Sequence, residues 1–390
     1  TYNESTELLA KTITACKNMK YPDKNKVHIY LCDDGNRLEM KELAKKLEIN
    51  YLTRTSNRNS KAGNYNHALP HLHSPYIATF AADMCPTENF LMVTVPYFLK
   101  SKEKMGFVQL PQSFNNPDIF QLRFGLTDKI PFEQDYFYHV IQSAKNSTNS
   151  TIYCGTNAVL SREALDKTNG FALNTITEDI ATGMLIESKG YQGVAISDIE
   201  AYGTAVDDLS RFVKQRSRWG RGCIQILKNY KILFNKELSV RQKMDYMSSI
   251  SYWFFGVKRM LYLIIPLLFS LFGFVIIEGN IMLFMGLFFP TYLIKRFALD
   301  LLDNKKRSST WNKIYELSIA PIMAKEVLKE LFGFGSTKFE VTSKDKTTYK
   351  MTKTNRDLLL VELKELFAKY NISFAALVLH QDWEGEEQTA

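Results

Sequence analysis

The chain has 390 residues, 45% of them hydrophobic, with 49 basic against 41 acidic side chains and a net charge of +8. That length accommodates a full catalytic domain plus something smaller. The five cysteines, Cys16, Cys32, Cys85, Cys154 and Cys223, show no CxxC and no histidine at ligand spacing, which argues against a zinc site or a disulfide framework and for reduced, cytosol-facing thiols.

The sequence opens on TYNESTELLAKTI, with no initiator Met and no charged-then-apolar leader, so it reads as part of a longer chain whose targeting is not legible. From residue 1 to about 235, short β-prone runs alternate with helix-period runs, the pattern of an α/β layered domain. VHIYLC, INYLTR, YIATFAA, GFVQLP and GVAI are the candidate strands. TELLAKTITACKNM and EMKELAKKLE carry apolar residues three and four apart and predict amphipathic helices. Carboxylates and turn residues cluster just beyond the strand ends, where open α/β sheets place a ligand crevice.

The composition then changes. Residues 260–277, MLYLIIPLLFSLFGFVII, and 279–294, GNIMLFMGLFFPTYLI, carry no charge, and only Glu278 separates them. The pair predicts a hairpin of membrane helices, against the alternative of a buried core hairpin. Arg241, Lys243, Lys258 and Arg259 precede it and Lys295, Arg296, Lys305, Lys306 and Arg307 follow, which puts both ends on the cytoplasmic side with the α/β domain. Residues 209–234 mix Phe, Trp, Leu and Ile with Arg and Lys, and 315–332 are amphipathic with a proline, so both are expected at a membrane interface. No RNP-like or helix-turn-helix pattern is present, and nucleic acid is not an expected partner.

Four constellations carry candidate chemistry. Asp33 and Asp34 follow a strand in CDDGN, either to hold a nucleoside or to shape the turn. Asp83 ends the β-prone run of YIATFAADMCP. Glu178 and Asp179 open a helix in TED, where an acid is often only a cap. Gln215, Arg218 and Trp219 share one helix face at i, i+3 and i+4, fit either to clamp a phosphate and stack a sugar or to anchor a membrane belt.

In this order, DDG, AxD, TED and QxxRW followed by a membrane hairpin, the sequence resembles the family 2 processive glycosyltransferases: cellulose, hyaluronan and chitin synthases. The resemblance runs to about residue 350 and includes TYNE at 1–4, KAGNYNHAL at 61–69, FVQLPQSFNNPD at 107–118, CGTNAVLSREALDKTNGF at 154–171 and QRSRWGRG at 215–222. KFEVTSK at 338–344 is similar to the FxVTxK gating loop of cellulose synthases and narrows the match.

The resemblance implies a GT-A-like fold, a Rossmann-like mixed sheet, over residues 1–208. Beyond it come interfacial helices with QxxRW at 209–250, a transmembrane hairpin at 251–302, a membrane-associated helix at 303–335, the gating loop at 336–350 and a tail of unassigned role at 351–390. It implies an inverting polymerase at the cell membrane, multi-pass and facing the cytoplasm, that uses UDP-glucose to build a β-linked exo- or capsular polysaccharide. UDP-N-acetylglucosamine or a similar donor, transfer of one sugar to a lipid, and a non-catalytic UDP-sugar-binding subunit are the alternatives. Asp33, Asp34 and Lys61 would hold the nucleotide, Arg218 and Gln215 the donor, and Mg2+ or Mn2+ the diphosphate through Asp83. Asp179, beside Glu178, would be the general base, Trp219 the acceptor platform, and Phe339, Val341, Thr342 and Lys344 the closing loop. A homo-oligomer or accessory secretion subunits are further candidate partners.

One departure stands out. The family's DxD would place two carboxylates around the metal, and here the first is Ala81. It is either a substitution introduced to trap a complex or a natural variant with reduced activity, and in both cases metal and nucleotide binding should be weakened. The tail offers an amphipathic stretch and a short run, FAALVL, that cannot span a bilayer, and no cyclic dinucleotide-binding domain is recognisable.

Overall fold

The computed structural model describes residues 1–124, 130–275, 278–302, 309–335 and four residues between 365 and 369. The expected gating loop, with Phe339, Val341, Thr342 and Lys344, and nearly all of the tail lie outside the described residues.

Among the described residues the strands are β1 (Tyr30–Asp33), β2 (Asn50–Thr53), β3 (Tyr76–Thr79), β4 (Cys85–Pro86), β5 (Met105–Gln109), β6 (Ser113–Phe114), β7 (Ala158–Ser161), β8 (Gln192–Ala195) and β9 (Ala201–Gly203). β1 pairs in parallel with β2, Tyr30 opposite Asn50. A second, mixed sheet runs β3-β7-β5-β8, with β7 antiparallel to both neighbours and β5 parallel to β8. A third small sheet, β4-β9-β6, closes one edge. The five runs read as strands from the sequence fall at β1, β2, β3, β5 and β8. The sequence reading missed β7, whose four residues AVLS are all buried between β3 and β5.

The helices that frame the sheets follow ordinary rules. Ser5 caps α1 (Thr6–Asn18), its side chain accepting from the Leu8 amide, and Leu9, Ile13 and Cys16 turn inward at three- and four-residue spacing. α2 (Leu38–Lys46) buries Met40 and Ala44 in the same way. α3 (Ser60–Ala68) starts just after the left-handed Asn59, and α4 (Phe90–Lys100) packs Phe90, Leu91 and Val95 under the mixed sheet.

The longer helices that follow are α5 (Glu178–Ser188), α6 (Leu209–Tyr230), α7 (Val240–Tyr252), α8 (Phe255–Phe272), α9 (Ile281–Leu302) and α10 (Ser309–Leu331). Two of these helices, α6 and α10, share a core. Leu209, Phe212, Val213, Ile224 and Ile226 of α6 and Tyr315, Ile319, Ile322, Met323 and Val327 of α10 are buried in one shared core. The buried stripe of α6 packs on α10 and on the α/β domain. The tertiary partner, invisible in the local pattern, decides which surface covers an amphipathic helix.

α8 and α9 behave differently. None of the 18-residue apolar window of α9 is buried, and 11% of that of α8 is. The alternative of a buried core hairpin therefore does not describe them, and each is long and apolar enough to cross a bilayer. α8 begins before the expected run, at Phe255, and stops at Gly273, whose φ of 67° reverses the chain.

α8 is held to α10 by the Arg259–Glu316 ion pair at 2.7 Å and by close backbone approach at Gly256. A Cβ on Gly256 would lie 2.6 Å from the Ala320 carbonyl oxygen and from the Ala324 nitrogen. Gly256→Val should therefore force the helices apart and destabilise the protein by about 1–3 kcal/mol, read as a lowered thermal midpoint in detergent. An unchanged midpoint would show that the contact contributes nothing.

Candidate active site

Two clefts meet at the C-terminal ends of β1 and β3. The first, of about 840 Å3, lies between α1, β1 and β3 and includes Thr1, Cys32 and Asp34 in its wall. The second, of about 810 Å3, runs beneath α6 past Tyr138, Cys154, Asp179 and Trp219. Lys61, Ala81, Asp83, Gln215 and Arg218 line both, and thus mark the junction.

The turn after β1 separates the two aspartates of DDG. Asp33 has no exposed surface. Its carboxylate accepts from the Gly35 amide at 3.1 Å, the Arg37 amide at 2.8 Å, the Arg37 guanidinium at 3.1 Å and the Tyr51 hydroxyl at 3.1 Å. It builds the turn and lines neither cleft. Asp34 does line the first cleft, and Arg54 grips it through two bonds of 2.5 and 2.8 Å while donating also to the Ser60 carbonyl at the head of α3. The start of α3, and with it Lys61, is thereby tied to the turn.

Lys61 crosses the junction to donate a 2.6 Å bond to the Gly155 carbonyl. Gly155 has φ of 75°, and a Cβ there would sit 3.0 Å from Asp179 Oδ2 and 3.2 Å from Lys61 Nζ. Only glycine lets this lysine and this carboxylate approach the same backbone. The sequence reading did not single out Gly155, although its place in CGTN offered the signal. The Ala81 amide donates to Thr156 Oγ1 at 2.8 Å, which fixes the turn that carries Ala81 and the buried Asp83 beside the same strand.

Glu178 and Asp179 occupy the first turn of α5, where the helix dipole favours negative charge. Burial nevertheless raises both. It pushes Glu178 up to about 7, helped by the neighbouring Asp179 charge, and raises Asp179 against the opposing pull of Lys61. Arg218 is in turn lowered by burial and supported by these two carboxylates.

α6 is held against this acidic turn by unusually close packing. A Cβ on Gly222 would lie 2.4 Å from the Thr177 side chain. Thr175 Oγ1 donates to the Gly222 carbonyl at 3.1 Å and the Gln225 side chain accepts from the Ile176 amide at 3.0 Å. Arg218 and Gln215 thus reach the junction while Trp219 faces the second cleft, its ring edge-on to Trp253 at 6.4 Å. The structure brings together Lys61, Asp83, Glu178, Asp179, Gln215, Arg218 and Trp219, and leaves Asp33 outside.

Among the described residues no three His, Cys, Asp or Glu side chains converge as a metal cage. Asp83 is the acid at the junction on the β3 side, and a hard divalent cation held by one carboxylate plus substrate phosphates and water fits that donor set.

Comparisons with known proteins agree with this picture. The profile of "Glycosyl transferase family group 2" matches residues 76–298. The UDP-forming cellulose synthase catalytic subunit of Pseudomonas fluorescens is 33% identical over 344 residues, covering 88% of this chain and 46% of its own length. That of Xanthomonas axonopodis pv. citri is 36% identical over 261 residues, 67% of this chain and 36% of the relative. The chain spans less than half the length of these curated relatives. Among solved structures, a mannosyltransferase from Pyrobaculum calidifontis in complex with GDP-Man and Mn2+ superposes with a TM-score of 0.60 at 17% identity, over 85% of both chains. That likeness shows the fold, GT-A-like with mixed sheets.

The junction predicts a pH dependence. Lys61 lowers the pKa of Asp179, so Lys61→Gln should raise it further, and an acidic limb of a pH–rate profile that reports ionisation of Asp179 should move to higher pH. Rates measured across that limb with saturating donor check this. A limb that stays in place separates Lys61 from Asp179.

Proposed function

Because the chain belongs to glycosyl transferase family group 2, we propose that it polymerises a UDP-activated sugar, glucose foremost, into a β-linked polysaccharide at the membrane. The observation that carries this reading is the junction itself, where Asp179 stands beside the two cations Lys61 and Arg218 at the meeting of two clefts. The first cleft suits the nucleotide, with Asp34 and Lys61 in its wall, and the second suits the acceptor, with Trp219 as a stacking surface. The printed names of the curated relatives, UDP-forming cellulose synthase catalytic subunits, support the donor and product.

The chemistry follows from these positions. The acceptor hydroxyl gives its proton to the Asp179 carboxylate while its oxygen attacks the anomeric carbon from the face opposite UDP. The bond to the diphosphate oxygen breaks, and its electron pair leaves with UDP, so an α-linked donor yields a β-linked product. Burial makes Asp179 a stronger base than an exposed carboxylate, which suits proton abstraction near neutral pH. Lys61 and Arg218 face the charge that builds on the diphosphate as preorganised cations. Gln215, at the junction, orients donor and acceptor. A Mg2+ or Mn2+ ion, when bound through Asp83 and the diphosphate, supplies Lewis-acid stabilisation of the leaving group.

α8 and α9 would sit in the bilayer with the catalytic domain in the cytoplasm, and residues 336–350 would close over the nucleotide and exclude water. Ala81 favours a second reading. With a methyl group where a carboxylate is expected, the form at hand is impaired, or it is a membrane subunit that binds UDP-sugar without turning it over.

Two measurements test this. UDP release and polymer formation from a panel of UDP-sugars with Mg2+ or Mn2+ should appear in Ala81→Asp and be weak or absent without it, with metal-dependent UDP affinity rising at least about tenfold. UDP binding without turnover of any donor in both forms would favour the non-catalytic reading. In the Ala81→Asp background, Asp179→Asn should lower turnover by about a hundred- to ten-thousandfold and leave UDP binding intact. Polymerisation at an undiminished rate would remove Asp179 from the role of base.

A further inference from the structure

The ligand-facing set on α6 is Gln215, Arg218 and Trp219, and residue 216 between them has no assigned part. Arg216 is nonetheless only 4% exposed. Its guanidinium carbon lies 4.6 Å from the centre of the Phe212 ring and 4.3 Å from that of Trp219, so the cation stands against aromatic rings one turn to either side. Nη1 donates to the Gln215 side-chain oxygen at 3.2 Å, and Nη2 is paired with Glu133. Nε is buried with no hydrogen-bond partner among the described residues.

This is a costly place for a cation. Water is excluded from most of it, one donor goes unused, and the charge is balanced by Glu133, whose side chain is itself mostly buried. Asp118 lies in the same field: burial pushes its carboxyl up to about 6, with the Glu133 charge adding to the shift and Arg216 opposing it. Glu133 belongs to the segment leading into Phe137–Ile141, which with Tyr138 forms the wall of the second cleft facing α6. The ion pair therefore spans that cleft from wall to helix.

The guanidinium touches both groups that the acceptor would meet. A sugar stacks on an indole only when the ring plane is set before it arrives, and a half-buried tryptophan on a helix has side-chain freedom to lose. Arg216 removes that freedom on the Trp219 side by stacking and on the Gln215 side by a hydrogen bond. A lysine, a point charge on a flexible stem, cannot do both at once.

We propose that Arg216 is a positioning residue for the acceptor: it sets the Trp219 ring and the Gln215 carboxamide together, and Glu133 sets Arg216. The acceptor platform is thus completed by an ion pair between α6 and the opposite wall of the cleft. The inference rests on the reading of Trp219 as the surface on which the acceptor sugar stacks.

The test uses the full chain in detergent, the variants Arg216→Gln, Arg216→Lys and Glu133→Gln, and two probes, UDP and a cello-oligosaccharide. Subtracting the spectrum of Trp219→Phe protein isolates the Trp219 emission. Arg216→Gln and Glu133→Gln should shift that emission and weaken oligosaccharide binding about tenfold, while UDP affinity stays unchanged. Arg216→Lys should recover part of the loss. An unchanged Trp219 emission overturns the proposal, and so does an equal loss of UDP and oligosaccharide affinity, which marks a collapsed helix. If the unsubstituted chain binds UDP but no oligosaccharide, Trp219 is not the acceptor platform and the inference falls with it. If it binds neither probe, the transferase reading itself fails, and the Trp219 emission alone decides whether Arg216 sets the indole.

Discussion

The contact of Gly222 with Thr177 is the constraint on which the site depends. It brings the backbone of α6 against the residue that precedes Glu178 and Asp179, closer than any side chain at position 222 would allow. Bonds from Thr175 to Gly222 and from the Ile176 amide to Gln225 lock the same approach from both sides. Without it, the helix that carries Gln215, Arg218 and Trp219 and the turn that carries the two carboxylates would have no fixed relation. The rest of α6 is then held from behind by α10, through the buried core of Ile224, Ile226, Ile319, Met323 and Val327.

The charges at this junction are balanced by one another rather than by water. Burial drives Glu178 and Asp179 toward their neutral forms, Lys61 and Arg218 pull them back, and Glu178 is left at about 7. Ala81 alters this balance on the side where the diphosphate would lie. It brings no charge of its own, while Asp83 is buried at the same turn and the Ala81 amide is bonded to Thr156.

α8 attaches to this assembly through α10, by close backbone approach at Gly256 and by the Arg259–Glu316 pair. α10 therefore touches both the helix that orients the site and the helix that is apolar along its outer face.

Much of this was legible in the linear sequence. Short β-prone runs marked β1, β2, β3, β5 and β8, and the helix spacing of Gln215, Arg218 and Trp219 put them on one face, because residue type and periodicity are local properties of the chain. Charge-free runs marked α8 and α9 for the same reason. What only the tertiary structure decided depends on contacts between distant residues. β7 is buried between β3 and β5; Asp33 turned out to be consumed by Arg37 and Tyr51, while its neighbour Asp34 reaches the cleft. The buried stripe of α6 takes α10 as its partner, and Gly155 and Arg216 acquire their significance only from Lys61, Asp179, Trp219 and Glu133 around them. A sequence states which side chains can make an interaction, and packing alone selects the partner that does.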